Sequence, residues 1–380
     1  MAQSGLSDER LDQLLRQFWE VETCTDPIVK ASKEELDCES YFVKNCVRLE
    51  GGAYTVRLPI KHNSNLLGDS YSQALRRFQS LERKLSHQPE LRTQYSVICP
   101  WFRRSCIKIA NIFCHITVCK KDSTTTKLGV AFDGSAVTTS GYSLNDILMA
   151  GPVIQPKLFH ILLRFRSHPV ALTGDICKMY RCVRMASSDS FLQCILWRDS
   201  FLKELQTYKL DTVTYGTKPA SYTSVRAMHQ LAKDEVKDFP VGSEILLRDF
   251  YVDHPISGGS YKDEVVGILG QISALLSKGE FQLRKWCSNV PSVLDGVPKE
   301  DRESYLTFDD GSNFTKTLGL AWDPSTDQWL LSFSSLQPTS KPSRRSVLSS
   351  IARLYDLLGL VGPGVTKAKI FLQKQASFLG

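Results

Sequence analysis

Two aspartates stand where carboxylate chemistry would place them. Asp175 lies in the run GDICKMY, soon after the apolar stretch Val170 to Leu172. Asp253 ends a second apolar stretch, Glu244 to Val252, in the run FYVDH. Both stretches read as buried strands. A carboxylate at the end of such a strand is partly desolvated and needs a cation. Two of them on neighbouring strands would hold a divalent metal through hard oxygen ligands. Metals held that way activate a 3′-hydroxyl and steady a leaving pyrophosphate. Spacing alone leaves a plainer reading open, in which each aspartate only caps a strand or a turn. The other cluster with ligand chemistry is Cys99, Cys106, Cys114 and Cys119 beside His115. Its gaps are irregular, whereas zinc takes paired ligands at short regular spacing. Small buried thiols are the reading preferred there.

The elements that would position these residues follow from periodicity. Residues 8–20 and 70–86 read as amphipathic helices, the second with Tyr71, Leu75, Phe78, Leu81 and Leu85 on one face. Gly51-Gly52 supplies a hairpin turn before the alternating Tyr54, Val56 and Leu58. A short strand runs from Leu128 to Phe132. Residues 143–166 hold helical stretches broken at Gly151-Pro152, and strand character returns near Phe191 to Leu196. Helices follow at 222–237, with Val225, Met228, Leu231 and Val236 inward, and at 262–277. Gly258-Gly259 reads as a turn, and Phe281 to Leu283 as the start of a strand. Leu318 to Trp322 and Trp329 to Phe333 read as a hairpin about Asp323-Pro324, and residues 344–358 as a last helix. Between 93 and 119 no period is clear. Strands and helices mix without regular βαβ alternation, so the fold class is α+β.

Composition sets the frame. The chain has 380 residues, 42% hydrophobic and 23% charged, the balance of a folded protein of more than one domain. No apolar run reaches the length of a membrane span, and the polar start MAQSGLSDERLDQLL carries no secretory core. The expectation is an intracellular protein, cytoplasmic or nuclear and not secreted. Its 11 cysteines are then expected as free thiols. The net charge of +7 is unevenly placed. Residues 97–129 carry six basic side chains against Asp122 alone, and residues 338–380 carry seven against Asp356. Two basic segments on a nearly neutral body suit a polyanion groove; solvated surface faces are the alternative.

Eleven ordered runs resemble the reverse transcriptase region of BEL/Pao retrotransposon pol polyproteins. They include RLEGGAYTVRLP, LGDSYSQALRRFQSLERKL, TTKLGVAFDGSA, GYSLNDILMAGP, GDICKMYRCV, YGTKPASYTSVRAMHQLAKDE, FYVDHPISGG, FQLRKWCSN and LGLAWDP. The closing run RRSVLSSIARLYDLLGLVGPGVTKAKIFLQ resembles the segment filed as Pao retrotransposon peptidase. The resemblance implies an α+β right-hand polymerase core with fingers, an antiparallel palm sheet and the start of a thumb or connection. It divides the chain into a lead-in at 1–60, fingers and palm at 61–260, the end of the palm with a primer-grip-like hairpin at 261–340, and a truncated thumb or connection at 341–380.

The same resemblance implies roles. Asp175 and Asp253 are the catalytic, metal-binding carboxylates, with the Ile176 carbonyl beside them for metal. Tyr180 is the steric gate against a ribose 2′-hydroxyl, or else a core aromatic. Tyr215, Gly216, Pro219 and Ala220 contact template and incoming nucleotide. Lys127 meets the triphosphate. Lys285 protonates the leaving pyrophosphate, or is simply an exposed lysine. Leu318, Gly319 and Trp322 belong to the primer grip. The implied cofactor is Mg2+ or Mn2+. The implied partners are an RNA template, a DNA primer and dNTPs, with no membrane.

The departures from the family pattern are specific. The pattern has two adjacent aspartates, and this chain has His254 in place of the second and Pro255 after it. An imidazole brings no negative charge and prefers softer ions than magnesium. Pro255 removes a backbone donor. Gly129 stands where the family carries an arginine that grips phosphate. Residues 93–117 do not match. The expectation is an RNA-directed DNA polymerase domain with impaired activity. The alternatives are a relic that binds nucleic acid without polymerising, and an aspartic peptidase fragment. The last is disfavoured, because FDGSA and DDGSN place glycine directly after aspartate and so break the D-[ST]-G order.

Overall fold

Ser32 starts the first described helix. Its hydroxyl accepts the Glu35 N–H while the Glu35 carboxylate accepts the Ser32 N–H, a reciprocal cap. The computed structural model describes residues 31–96, 103–105, 115–119, 128–198, 200–304, 306–307, 313–317, 320–330 and scattered positions between 359 and 370. In chain order the elements begin α1 (Lys33–Asn45), β1 (Val47–Arg48), β2 (Tyr54–Val56), α2 (Tyr71–Ser86), α3 (Pro89–Ser96), β3 (Arg103–Ser105), β4 (His115–Cys119) and β5 (Leu128–Phe132). Next come α4 (Leu144–Ile147), α5 (Leu158–Ser167), β6 (Val170–Ile176), α6 (Met179–Cys182), β7 (Arg184–Met185), β8 (Cys194–Trp197) and β9 (Gln206–Lys209). Then follow α7 (Ala220–Asp234), α8 (Pro240–Arg248), β10 (Phe250–Tyr251), β11 (His254–Gly259), α9 (Lys262–Ser277) and β12 (Leu283–Ser288). The last are β13 (Leu306–Thr307), β14 (Asn313–Thr317), β15 (Leu320–Asp323) and β16 (Gln328–Leu330).

The sheet that carries Asp175 has the strand order β10-β11-β6-β12, antiparallel throughout. Side chains alternate across a strand, and here the alternation divides the interior. Leu172 and Ile176 of β6 enter the main core with α7, α8 and α9, whereas Ala171 enters a second cluster. That second cluster joins α5 (Leu158, Ile161, Leu162, Phe165) to Ile256, Cys287, Leu320 and Trp322. The sheet is therefore held from both faces. A second antiparallel sheet, β13-β14-β15-β16, follows it, and smaller sheets pair β1-β2-β7, β3-β9-β8 and β4-β5. This is the α+β class, with antiparallel pairing dominant. No helix among the described residues is long and apolar enough to cross a membrane.

Several expectations hold. The 70–86 helix, the Gly51-Gly52 hairpin, the helix break at Gly151-Pro152 and the 262–277 helix are all present. Three need correction. Glu244 to Arg248 is the end of α8, not a strand, and the strand is only Phe250–Tyr251. Pro240 at the first helical position pre-sets the helix, the Glu244–Arg248 pair supports it, and Ile245 and Leu246 face the core. Gly258 and Gly259 continue β11 rather than turning. A side chain at Gly258 would stand 2.4 Å from the Val170 carbonyl oxygen, so only glycine lets β11 lie this close to β6. Val236 lies beyond the end of α7 and is exposed. The helices read at 8–20 and 344–358 lie outside the described residues, as do Lys127, Leu318, Gly319 and most of both basic segments. All six cysteines whose state is described are free thiols.

Candidate metal centre

Asp175 sits near the C-terminal end of β6, and Asp253 sits in the turn between β10 and β11. Tyr251 pairs with His254, so Val252 and Asp253 are the two turn residues. Val252 takes a left-handed φ of 58°. A β-branched residue there is strained by about 1–3 kcal/mol, the kind of strain that surrounding structure holds at functional sites. The Ile176 N–H donates to the Asp253 carbonyl at 2.8 Å and locks the two aspartate-bearing segments together. The β11–β6 ladder proper begins at Ile256 opposite Thr173, one residue beyond Pro255, which has no N–H to give.

The cluster built this way holds four side chains. His254 Nδ1 lies 2.8 Å from Asp253 Oδ1, and its Nε2 lies 3.9 Å from Asp175 Oδ1. Lys285 Nζ reaches the other Asp175 oxygen, Oδ2, at 3.2 Å. Ligand atoms of Asp175, Asp253 and His254 all lie within 4.8 Å of one another. Lys285 arrives by an irregularity: β12 shifts register between Arg284 and Cys287, and Lys285 itself has a φ of 54°. Such a bulge re-aims a side chain. Lys285 thus meets Asp175 and is not a free surface lysine.

Burial lifts the Asp175 carboxyl above the ordinary carboxylate range. The charges of His254 and Lys285 pull it back and that of Asp253 adds to the rise. Burial alone would push His254 down, but the hydrogen bond and charge of Asp253, with the charge of Asp175, outweigh it. The imidazole therefore sits above its ordinary value of 6.5. Glu303, raised by burial and facing Lys285 and Asp175, is a further acid at this cluster.

A pH dependence follows. With His254 and Asp175 both raised, the folded state binds more protons than the unfolded one, so stability falls as pH rises. The His254 share is fully present below 6.5 and is lost as pH climbs through the higher folded value. Denaturant melts at about pH 6 and about pH 8.5 should show a larger loss for the native chain than for His254→Gln.

Next to the carboxylates, the Tyr180 and Tyr215 rings pack at 4.3 Å between centroids and 45° between planes. Burial raises both phenols, and Tyr180 is hydrogen-bonded to the Ser221 side chain. Gly216 is clamped by Asn145, which donates to the Gly216 carbonyl at 3.0 Å and accepts the Lys218 N–H at 2.8 Å. Pro219 precedes the first turn of α7. A cavity of about 590 Å³ lies beside Tyr215, lined by Phe132, Arg181, Arg184 and Thr214 among others; neither aspartate contributes to it.

The residues expected to act thus fall into two groups. Asp175, Ile176, Asp253 and Lys285 come together, with Tyr180, Tyr215 and Gly216 as neighbours. Ala220 and Trp322 do not join them. Ala220 is buried in the main core and Trp322 fully buried in the second cluster, where its Nε1 donates to Asp327. Glu303 and Asn145 were not anticipated. Asn145 lies in the run GYSLNDILMAGP, but nothing in its type marks it as a clamp.

No family model matches the sequence, and no curated protein matches it. Among solved structures, the foamy viral protease-reverse transcriptase dRH in complex with ds DNA is 13% identical, with a TM-score of 0.43, over 68% of this chain. The foamy viral protease-reverse transcriptase in complex with an RNA/DNA hybrid is 11% identical, with a TM-score of 0.49, over 97%. This chain spans 37% and 41% of the length of those two proteins.

Proposed function

We propose that this chain is a reverse-transcriptase-type nucleotidyl-transfer domain of BEL/Pao ancestry, with right-hand fingers and palm, whose catalysis is weakened at its second carboxylate position. The observation that carries the reading is the meeting of Asp175 and Asp253. They come from separate segments, share one antiparallel sheet, and have Lys285 against Asp175. The residues fit a divalent ion, because two carboxylates and an imidazole offer oxygen and nitrogen donors within one ion's reach. When bound, the ion supplies charge to a developing alkoxide and a leaving pyrophosphate.

The chain's own residues would do the rest. Asp175 and Asp253 concentrate negative charge at the end of the sheet. Lys285 holds an ammonium 3.2 Å from Asp175, placed to give a proton to a leaving phosphate oxygen. The Tyr180–Tyr215 pair forms a rigid aromatic wall against which a sugar and base could lie. RNA template, DNA primer and dNTPs are the partners of this reading. One observation favours binding without synthesis as the second reading: His254 occupies the place of a carboxylate and bonds to the one that remains.

Primer extension on poly-rA/oligo-dT with Mg2+ or Mn2+ tests the proposal. The native chain should extend weakly, and His254→Asp should extend at least about tenfold faster through restored electrostatic stabilisation. Asp175→Asn should abolish extension. Unchanged extension by Asp175→Asn would overturn the site. Salt-sensitive hybrid binding with no extension by either the native chain or His254→Asp would favour the second reading.

A further inference from the structure

We propose that the Asp175–Asp253–His254 cluster is a single-cation centre with a nitrogen ligand, taking a first-row transition ion in preference to Mg2+. The inference rests on the functional reading above and narrows its metal. A carboxylate oxygen accepts hydrogen bonds, so the 2.8 Å contact with Asp253 Oδ1 assigns the ring proton to His254 Nδ1. The neutral ring then carries its lone pair on Nε2. A carboxylate that fixes a histidine through its far nitrogen is the usual support of a metal-bound imidazole. Asp253 thereby orients the imidazole through the oxygen that His254 engages.

The other side of the ring points the same way. His254 Nε2 and Asp175 Oδ1 are 3.9 Å apart, too far for a hydrogen bond. Bonds of about 2.0–2.2 Å from one ion to nitrogen and to oxygen span up to about 4.3 Å, so one ion reaches both. The remaining Asp175 oxygen holds the Lys285 ammonium at 3.2 Å. Two-metal sites place their ions about 3.5–4 Å apart on shared carboxylates. Here the Lys285 ammonium lies against one of the Asp175 oxygens, and His254 stands where the family pattern has its second adjacent carboxylate. Mg2+ binds nitrogen poorly and keeps its waters, whereas Mn2+ and later ions accept imidazole.

Mn2+ titration of the full chain, followed by electron paramagnetic resonance with Mg2+ competition, tests the proposal without reference to activity. One Mn2+ should bind per chain, at least about tenfold tighter than Mg2+. Spin-echo modulation should show nitrogen coupling. His254→Gln should lose that coupling and weaken Mn2+, Asp175→Asn should abolish binding, and His254→Asp should narrow the preference over Mg2+. Circular dichroism checks that each variant is folded. Nitrogen coupling that persists in His254→Gln, two ions per native chain, or equal Mn2+ and Mg2+ affinity would overturn the inference. Mn2+ bound with nitrogen coupling but no primer extension sinks the polymerase reading alone. Extension driven equally by Mg2+ and Mn2+, and unmoved by His254→Gln, sinks the inference alone.

Discussion

Replacing Asp249 by alanine should cost about 3–5 kcal/mol of stability, the range for removing one member of a buried charge network. Asp249 ends α8 and is almost wholly buried. Its Oδ1 accepts from Arg164 Nε at 3.0 Å and Arg248 Nε at 3.1 Å. Its Oδ2 accepts from the Ser257 hydroxyl at 2.8 Å and Arg248 Nη2 at 3.0 Å. One carboxylate thus ties α5, α8 and β11 together. Both arginines keep partial access to water, which places the loss towards the lower end of the range. The effect should also reach the site. The Asp249 carbonyl accepts the Ile256 N–H, which anchors the base of the hairpin carrying Asp253 and His254. Urea melts of Asp249→Ala and Asp249→Asn, alongside Mn2+ titration, check both effects. Asparagine keeps the shape and some of the hydrogen bonds, so it should lose less. Equal stability of native chain and alanine variant would show that the network carries no net energy.

How far such a network was legible in the sequence depends on what kind of signal each residue carries. Helix α2 announces itself, because Phe78, Leu81 and Leu85 recur at helical spacing and all three are buried. The stretch from Glu244 to Val252 does not. Arg248 and Asp249 divide it into two short apolar pieces, Ile245 to Leu247 and Phe250 to Val252, and neither is long enough to show a period that chooses between helix and strand. Pro240, upstream of the stretch, and the Glu244–Arg248 pair one helical turn apart decide for helix. At the site, Asp175 and Asp253 were legible as strand-end carboxylates, and the family-like runs around them pointed to their meeting. The aim of Lys285 was not, since it depends on a register shift in β12 that no glycine or proline marks. Glu303 and Asn145 are ordinary polar residues whose importance comes only from what the chain brings beside them. Trp322, in the family-like run LGLAWDP, packs its ring in the second core cluster against Phe165.

Substituting Gly216 by alanine should damage both stability and the aromatic wall. Its φ is 96°, a left-handed conformation that costs an alanine about 1–2 kcal/mol. The new Cβ would also stand 1.7 Å from the Phe132 carbonyl oxygen and 2.9 Å from its carbon. Those atoms are backbone, so no rotamer change can clear them, and overpacking of this kind adds about 1–3 kcal/mol. Relief requires the loop to part from β5, which breaks the bond from the Phe132 N–H to the Tyr215 carbonyl at 3.2 Å. Tyr215 would then leave its packing on Tyr180, and the near-ultraviolet circular dichroism of the tyrosines should change with it. Gly141 supplies the control. Its φ of 86° carries the same conformational cost, but nothing lies within 4 Å of where its Cβ would be. Gly141→Ala should therefore lose only the backbone contribution and leave the tyrosine signal intact. The difference between the two variants isolates the clash with Phe132. If both lose the same stability, β5 yields without cost, and Gly216 is there for its φ alone.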